Sequence, residues 1–419
     1  MKSPCSPVSI WMVFLSFTFL MMGTSPGQTF TTLYSFTGTT DGEYPFDNGS
    51  LVVDSKGDLY GTTVYTAQEK GRGKVFRLSQ AGQESVLDDF GSNNPDGKEP
   101  FGGLIADRAG NLYGTTWAGG VYGWGTVFEL SPPRPGHSGW TETLLHSFEK
   151  YSDGAELNGP LIMDAAGNLY GAAVEGGHNN GGTVFRLNTQ GNFVVLHNFG
   201  NGPNGEVPGG LALDPAGNVY GSTGEGGIQS CNGGSGCGVV FRLSPTGHES
   251  VLHTFTGGTD GGVPGPVLIL DVPQRALYGI AAAGGEFDCG VIFKLDATGE
   301  TVLYSFMCGA DGNLPDALIR DAAGNLYGAA AEGGDLSCNA PDGCGVLFKL
   351  DAANNYTVLY TFSPTNGDSP ACCGGLVLDG AGNLYGVTKN GGDLDCDPGG
   401  CGTVFELAGA SEDKEVWAR

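Results

Sequence analysis

The sequence predicts an all-β fold, a seven-bladed β-propeller made of four-stranded antiparallel blades. One observation is a Tyr-Gly dipeptide that recurs at the same position in each of seven repeats, namely at Tyr60, Tyr113, Tyr170, Tyr220, Tyr278, Tyr327 and Tyr385. The copies are spaced by about 54 residues on average, and long repeats with strand-like texture are typical of propellers. A second observation is that each repeat contains four short β-type runs. A third is that the fourth run of the last repeat is found at the other end of the chain.

The four runs, here named strands A to D, are clearest from Gly102 to Phe148. Strand A is rich in leucine and ends on Asp107, and the turn Asp-x-x-Gly-Asn follows it. Aspartate at the start of a turn and glycine at its left-handed position favour a short hairpin. Strand B is the Leu-Tyr-Gly run, strand C has the form Gly-x-Val-Phe-x-Leu, and strand D has the form Val-Leu-x-x-Phe. Their β-branched and aromatic residues favour a half-buried pleated surface.

Strands A, B and C each occur seven times before Leu407, but no strand D follows that residue. The segment Thr31–Phe36 (TTLYSF) closely matches Thr301–Phe306 (TVLYSF), which is a strand D. The N-terminal strand is therefore predicted to complete the last blade, which closes the ring and removes two exposed sheet edges. We expect the propeller to span residues 29–407 and a polar tail to occupy residues 408–419.

Residues 1–28 have the features of a secretory signal peptide. Lys2 provides a positive start, and Val8–Met22 is an apolar stretch that is shorter than the roughly 20 residues needed to span a bilayer. Small residues follow at Gly23–Gln28. The mature chain shows no second hydrophobic segment, so we expect a secreted protein, periplasmic or extracellular, without a membrane span.

The composition restricts the possible partners. The chain has 19 Lys and Arg residues against 45 Asp and Glu residues, for a formal net charge of −26. Such a charge repels phosphate backbones and anionic membrane surfaces. Nucleic acid is therefore excluded as a partner, whereas divalent cations and neutral glycans remain open.

The repeat unit resembles the GloVer repeat family of exported bacterial proteins. The resemblance extends roughly from Thr29 to Leu407 and rests on Asp-x-x-Gly-Asn-Leu-Tyr-Gly, the following Gly-Gly pair, Gly-Thr-Val-Phe-x-Leu and the Val-Leu-x-x-Phe ending. It implies export and a tandem-repeat scaffold. It does not bring an established substrate or catalytic residues to this chain.

In a four-stranded blade the B–C and D–A loops open on one face of the disc, here called the B–C face. The B–C loops of this chain are long and unequal, and variable loops on a rigid scaffold commonly carry function. Three of them contain a pair of cysteines: Cys231 and Cys237, Cys338 and Cys344, Cys396 and Cys401. Their spacing within an exported protein predicts local disulfide bonds. The alternative is a metal site, but no histidine lies between the paired cysteines.

The other four mature cysteines have no partner within their own loop. Cys289 has its obvious candidate partner in Cys308, on the neighbouring D–A loop of the same face. Cys372 and Cys373 are adjacent, and they either form a vicinal disulfide or cross-pair with the first two. The sequence leaves both arrangements open.

Candidate ligand-binding aromatics are concentrated in the B–C loop of the second repeat, which contains Trp117, Tyr122 and Trp124. Exposed aromatic side chains at a loop rim suit stacking against sugar rings or contact with a protein. The alternative is that Trp117 packs between blades.

Candidate polar residues lie just before the Gly-Gly pairs, where Glu175, Glu225 and Glu332 recur, and at His178 in a B–C loop. Carboxyl groups that lie close together at one opening of the propeller bind cations or catalyse the cleavage of glycosidic bonds. The alternative is that they form a solvated acidic rim. By contrast, His146, His197 and His253 share one strand-D position with three tyrosines, which indicates a structural role.

A calcium site is a further possibility at Asp393, Asp395 and Asp397, which form Asp-x-Asp-x-Asp as at the start of a calcium-binding loop. The glutamate expected at the twelfth position is replaced by Val404. No cofactor is required by the sequence, and calcium is the one that it leaves open.

Three hypotheses for function follow. The first is a secreted binding or interaction module that recognises a polysaccharide or an extracellular protein through the disulfide-stapled B–C face. The second is a polysaccharide-active enzyme, a lyase or glycoside hydrolase, that uses Glu175, Glu225 or Glu332 with His178. The third is a purely structural surface protein.

Overall fold

The structure is a computed structural model that describes residues 28–45, 51–66, 72–91, 95–200, 202–364, 366–370, 375–394, 396 and 399–411. The predicted signal peptide at 1–28 lies outside this part of the chain except for Gln28. Within the described residues, no helix is long and apolar enough to cross a bilayer.

Seven antiparallel sheets, six of four strands and one of five, form the body of the protein, which confirms the predicted propeller. Blade 1 contains β2 (Val52–Val53), β3 (Leu59–Thr63), β4 (Lys74–Leu78) and β5 (Glu84–Asp89). Blade 2 contains β6 (Gly97–Lys98), β7 (Leu104–Ala106), β8 (Leu112–Thr116), β9 (Ala118–Gly119), β10 (Thr126–Ser131) and β11 (Thr141–Ser147). Blade 3 contains β12 (Ile162–Met163), β13 (Leu169–Ala173), β14 (Thr183–Leu187) and β15 (Phe193–Asn198). The short strands β6 and β9 pair with each other at the end of blade 2.

Blade 4 contains β16 (Glu206–Leu213), β17 (Val219–Glu225), β18 (Val239–Leu243) and β19 (Glu249–Thr254), and blade 5 contains β20 (Gly262–Asp271), β21 (Ala276–Ala283), β22 (Val291–Asp296) and β23 (Gly299–Ser305). Blade 6 contains β24 (Asn313–Arg320), β25 (Leu326–Glu332), β26 (Val346–Leu350) and β27 (Tyr356–Thr361). Blade 7 contains β28 (Asp368–Pro370), β29 (Val377–Leu378), β30 (Leu384–Asn390), β31 (Thr403–Ala408) and β1 (Thr29–Ser35). In this five-stranded sheet the short strands β28 and β29 both pair with β30. A single 3₁₀ turn, Asn232–Gly234, interrupts the described loops. The first strands of successive blades contact one another, as β16 contacts β20 and β20 contacts β24.

The ring closes where the N-terminal strand joins the last blade. Strand β1 pairs antiparallel with β31, and Thr29 lies opposite Ala408 while Ser35 lies opposite Thr403. This confirms that the N-terminal strand completes the blade built from the three C-terminal strands.

The chain beyond Leu407 begins by packing against the propeller. Strand β31 continues to Ala408, and the buried Ser411 donates its N–H to the carbonyl of Gly382 at 2.9 Å and its hydroxyl to Asp321 Oδ2 at 3.2 Å. The first residues of the predicted polar tail are therefore ordered by contacts with two blades. Residues 412–419 lie outside the described part.

The repeated Asp-x-x-Gly-Asn-Leu-Tyr-Gly motif is one hydrogen-bonded unit. In blade 3, Asp164 Oδ2 accepts hydrogen bonds from the amide of Asn168 at 2.7 Å and from the hydroxyl of Tyr170 at 3.2 Å. Gly167 adopts a φ of 83°, a left-handed conformation that favours glycine. The motif therefore ties the A–B turn to the strand that follows it.

The glycine of Tyr-Gly lies against a buried phenylalanine ring. A β-carbon at Gly171 would lie 2.4 Å from Cζ of Phe185, the strand-C phenylalanine of the same blade. That ring also packs edge-on against Phe148 of the preceding blade, at a centroid distance of 5.2 Å. The same contact between a strand-D and a strand-C phenylalanine recurs at every junction between blades: Phe36–Phe76, Phe90–Phe128, Phe148–Phe185, Phe199–Phe241, Phe255–Phe293, Phe306–Phe348 and Phe362–Phe405.

Candidate functional site

The B–C face carries most of the large apolar side chains that are exposed in the described residues. Fifteen large apolar side chains are exposed in the described residues, and ten of them lie in its loops or at the strand ends beside them: Val121, Tyr122, Trp124, Tyr151, Ile228, Phe287, Met307, Leu314, Leu336 and Leu394. The other five lie on the outer strands or at one A–B turn. Because soluble monomers rarely concentrate exposed apolar side chains, this distribution marks a candidate interaction surface.

Four disulfide bonds stabilise this face in blades 4 to 7. Three of them close single B–C loops, Cys231–Cys237, Cys338–Cys344 and Cys396–Cys401. The fourth, Cys289–Cys308, joins the B–C loop of blade 5 to the following D–A loop, which is one of the two pairings that the sequence left open. Cys372 and Cys373 lie outside the described residues, so their pairing stays a prediction.

A second cluster lies in blades 2 and 3, around a lysine that sequence reasoning missed. Lys150 Nζ lies 2.6 Å from Glu175 Oε2 and 4.7 Å from the centre of the Trp124 ring. The hydrogen bond to Glu175 raises the pKa of Lys150, so the amine is charged at neutral pH. Trp124 and Tyr122 are 38% and 56% exposed. The lysine therefore connects two of the predicted ligand-binding residues, Trp124 and Glu175.

Trp117 has a different environment from Tyr122 and Trp124. It is half-buried, and its ring contacts Phe101 edge-on at a centroid distance of 5.5 Å. Phe101 in turn contacts Tyr65 at 6.4 Å, and Tyr65 contacts Tyr44 at 6.2 Å. The four rings belong to blades 1 and 2. Trp117 therefore belongs to a row of aromatic residues that crosses one junction between blades.

Two of the predicted carboxylates, Glu225 and Glu332, are the last residues of strands β17 and β25, where the B–C loops begin. Glu225 is directly opposite Glu206 in the pairing of β16 with β17. Burial, and then the charge of Glu225, raise the pKa of Glu206. Glu332 accepts a hydrogen bond from the amide of Asn313 at 2.7 Å, and its pKa is raised by burial and then by Asp342. The rim is therefore acidic, and at Glu206 and Glu225 it holds two neighbouring carboxyl groups.

The remaining predicted residues do not join these clusters. His178 is exposed, and its backbone N–H donates to Asn198 Oδ1 at 2.9 Å. Asp393 is half-buried, whereas Asp395 and Asp397 lie outside the described residues. Calcium binding by these three aspartates stays a prediction.

The strand-D histidines make structural contacts between blades. His146 Nε2 lies 2.9 Å from Asp153 Oδ2, and its ring stacks on Phe193 of the next blade at a centroid distance of 3.8 Å. Burial lowers the pKa of both His197 and His253. These residues are therefore part of the packing between outer strands.

Backbone strain is also concentrated at the B–C face. Six residues other than glycine have φ between 53° and 60° at the same repeat position, two after the glycine of the Asp-Gly or Asn-Gly turn that leads into strand A: Tyr44, Glu99, Glu156, Val207, Val263 and Leu314. Left-handed backbone is unfavourable for β-branched residues. At Val207 and Val263 this conformation lets the backbone N–H donate to a carbonyl oxygen of the preceding blade. The acceptors are the carbonyls of Gly181 and Cys237, respectively, and both N···O distances are 3.0 Å. The strained positions therefore connect neighbouring blades.

Two clefts open on the opposite face. One, of about 670 Å³, lies between blades 4 and 5 and is lined by residues such as Tyr220, Val272 and Leu295. Its carboxylates already have partners within the chain, since Asp214 accepts from Asn218 and Asp296 accepts from Lys294 and Thr298. The clustered polar and aromatic groups therefore favour the B–C face over this cleft.

The sequence matches the Gloeobacter/Verrucomicrobia repeat over residues 19–138, 134–340 and 228–418. The chain belongs to this repeat family. No curated protein is detectably similar to it in sequence.

Solved structures similar to this Gloeobacter/Verrucomicrobia repeat protein share its fold at low sequence identity. A streptogramin B lyase has 14% identity and a TM-score of 0.58, covering 92% of this chain and 99% of that chain. Virginiamycin B lyase from Staphylococcus aureus has 13% identity and a TM-score of 0.55, covering 91% and 99%. An extracellular domain from a B. thetaiotaomicron protein assigned as a hybrid two-component system has 12% identity and a TM-score of 0.53, covering 91% of this chain and 41% of that chain.

Proposed function

We propose that this protein is a secreted recognition module that binds a polysaccharide or an extracellular protein through its B–C face. The observation that carries the proposal is the location of ten of the fifteen exposed large apolar side chains in the described residues on that face. A scaffold with one apolar, loop-built face is typical of a binding module.

Export is supported by the disulfide bonds, because structural disulfides persist in oxidising compartments. The structural similarity to an extracellular domain from B. thetaiotaomicron agrees with such a location. The four disulfides also hold the loops of the proposed binding face, and a preorganised loop loses less conformational entropy when it binds.

The proposal is tested by screening the mature protein against arrays of glycans and of exported proteins, with calcium and then with a chelator. We expect a bound partner whose affinity falls when exposed residues of the B–C face are replaced, as in Tyr122→Ser with Trp124→Ser. The control is Val272→Ser, because Val272 is 45% exposed on the opposite face. Absence of any partner, or equal loss in the control, would contradict the proposal.

A second candidate is a polysaccharide-active enzyme, and the pair Glu206 and Glu225 favours it. The raised pKa of Glu206 suits a general acid, and the carboxyl group of Glu225 on the neighbouring strand is placed to serve as the base or nucleophile. Two of the structural neighbours are named as lyases of streptogramin B and virginiamycin B. New chain ends in bound glycans, detected by mass spectrometry and abolished by Glu206→Gln and by Glu225→Gln, would favour this candidate.

A further inference from the structure

The half of the B–C face in blades 4 to 7 combines three features. It is here called the stapled half and comprises the described residues of the B–C loops 226–238, 284–290, 333–345 and 391–402 and of the D–A loops 255–261, 306–312 and 362–367. All four described disulfides lie in it. It also holds five exposed large apolar side chains and a group of acidic residues.

The apolar side chains occupy the tips of successive loops. Ile228, Phe287, Leu336 and Leu394 each follow a Gly-Gly pair by one or two residues. Met307 directly precedes Cys308, which is bonded to Cys289 in the loop that carries Phe287. Their exposed fractions range from 37% to 56%. Glycines such as Gly284 and Gly285, with φ of 74° and 87°, start the turn that carries these residues outward. Each blade of the stapled half therefore presents an apolar side chain to solvent.

Acidic residues surround these apolar tips. Glu286 and Asp288 flank Phe287, Asp335 precedes Leu336, and Asp393 precedes Leu394. Glu286, Asp288 and Asp335 are exposed. Hydrogen bonds from Ser337 lower the pKa of Asp335, so this side chain is ionised at neutral pH. The seven loops contain no lysine or arginine.

We infer that the stapled half binds a cationic amphipathic segment of an exported protein. This inference rests on the proposed function and specifies the partner class. Apolar residues of the segment would contact the loop tips, and its basic residues would pair with the acids between them. Charge complementarity excludes acidic partners and phosphate-rich surfaces, and a neutral glycan would leave the acids without a cation. The disulfides reduce the entropy lost by the loops on binding.

The inference is tested with two synthetic helical peptides that have leucines on one face and either lysines or glutamates on the other. We expect the lysine peptide to bind the mature protein and the glutamate peptide to bind at least tenfold more weakly, because like charges repel at the acidic loops. Raised salt should weaken the binding of the lysine peptide, since screening reduces the attraction between exposed charges. Equal affinities for the two peptides would overturn the inference.

Matched variants locate the interaction. Phe287→Ser combined with Leu336→Ser should lower the affinity for the lysine peptide roughly tenfold or more, as expected for central apolar contacts. Glu286→Gln combined with Asp335→Asn should lower the affinity and reduce its dependence on salt. The control is Val194→Ser combined with Val251→Ser, which removes exposed side chains from outer strands and should leave binding unchanged. Thermal melting establishes that each variant is folded.

Binding measurements with the peptides, glycans and exported proteins distinguish failure of the inference from failure of the proposed function. If a glycan binds through Tyr122 and Trp124 but the lysine peptide does not bind, the partner class is wrong and the recognition function stands. If neither peptide, glycan nor exported protein binds, both proposals fail. Binding of the lysine peptide that survives the loss of Phe287 and Leu336 would also overturn the inference.

Discussion

Arg320 Nη1 lies 2.8 Å from Asp271 Oδ2, and this ion pair joins the inner strands of blades 5 and 6. Their side chains are only 16% and 5% exposed. Blade 5 lacks the Asp-x-x-Gly-Asn turn, so Asp271 has no asparagine beside it, and the hydroxyl of Tyr278 donates instead to Gln274 at 3.1 Å. The arginine therefore supplies the donor that the turn asparagine provides in five of the other blades.

Replacement of Arg320 by methionine should destabilise the protein by about 3 kcal/mol, because breaking a buried pair leaves an uncompensated charge on Asp271. The measurement is the free energy of unfolding from denaturant titration. The control is Arg275→Met, which changes an arginine with no side-chain partner in the described residues and should leave stability within about 0.5 kcal/mol. Equal stability of Arg320→Met and the wild type would contradict the prediction.

The stability of the protein should decrease as the pH rises from about 4 to about 7, owing to carboxyl groups between blades 1 and 2. Burial, and then Asp96, raise the pKa of Asp88 to about 6, and burial with Asp96 and Asp88 raises that of Glu142 to about 7. A hydrogen bond with the backbone of Asp89, and then the charge of Lys74, partly offset the effect at Asp88, whereas the charge of Asp89 adds to it. Because these pKa values are higher in the folded state than in the unfolded chain, the folded state binds more protons in this interval. The stability that protonation contributes is complete below about pH 4 and is lost as the pH passes the folded pKa values.

Thermal melting between pH 4 and pH 8 checks this prediction in the double variant Asp88→Asn, Glu142→Gln. The variant should lose the part of the slope due to this cluster, on the order of 1–2 kcal/mol across the interval after allowance for solvent screening. The control variant Glu286→Gln, at an exposed acid on another part of the molecule, should keep the wild-type slope. An unchanged slope in the double variant would show that the cluster does not bind protons.

Replacement of Val263 by glycine should lower the free energy of unfolding less than its replacement by alanine does. Its φ is 54°, and its N–H bonds to the carbonyl of Cys237 in the preceding blade. Both substitutions remove the two γ-methyl groups of valine, and alanine keeps the β-carbon, but only glycine removes the cost of left-handed backbone, about 1–2 kcal/mol. The measurement is the difference in unfolding free energy between the two variants. A glycine variant that is no more stable than the alanine variant would show that the strain is not a significant cost.

Removal of the Cys338–Cys344 disulfide by a double serine substitution should lower the unfolding free energy by about 2 kcal/mol, since the loop that it closes is short. The measurement is denaturant unfolding of the oxidised wild type and the variant. Under reducing conditions the two proteins should be closer in stability, because the wild type then loses the same constraint. A difference that does not change on reduction would indicate that the serines act through packing.

The seven-bladed architecture and the A–B turns were predictable from the sequence because they depend on a pattern that is complete within each repeat, and the ring closure was predictable because Thr31–Phe36 matches the strand D that is missing after Leu407. Asp164, Asn168 and Tyr170 are within six residues of each other, and the requirement for Gly171 follows from a phenylalanine in the same blade. The local cysteine pairs follow from spacing in the same way. At Lys150 the sequence carried no comparable signal, because its partners Trp124 and Glu175 belong to two different repeats.

The sequence by itself determined the fold, because a seven-fold pattern of strands, turns and phenylalanines has one closed arrangement in which every blade is complete and packs between two others. It also determined the net charge and the short disulfide loops. Only the tertiary structure decided which loops meet: Cys289 with Cys308, Arg320 with Asp271, and the exposed apolar tips of blades 4 to 7 on one face. These relationships depend on distances between blades, which are set when the ring closes and not by the order of residues within any repeat.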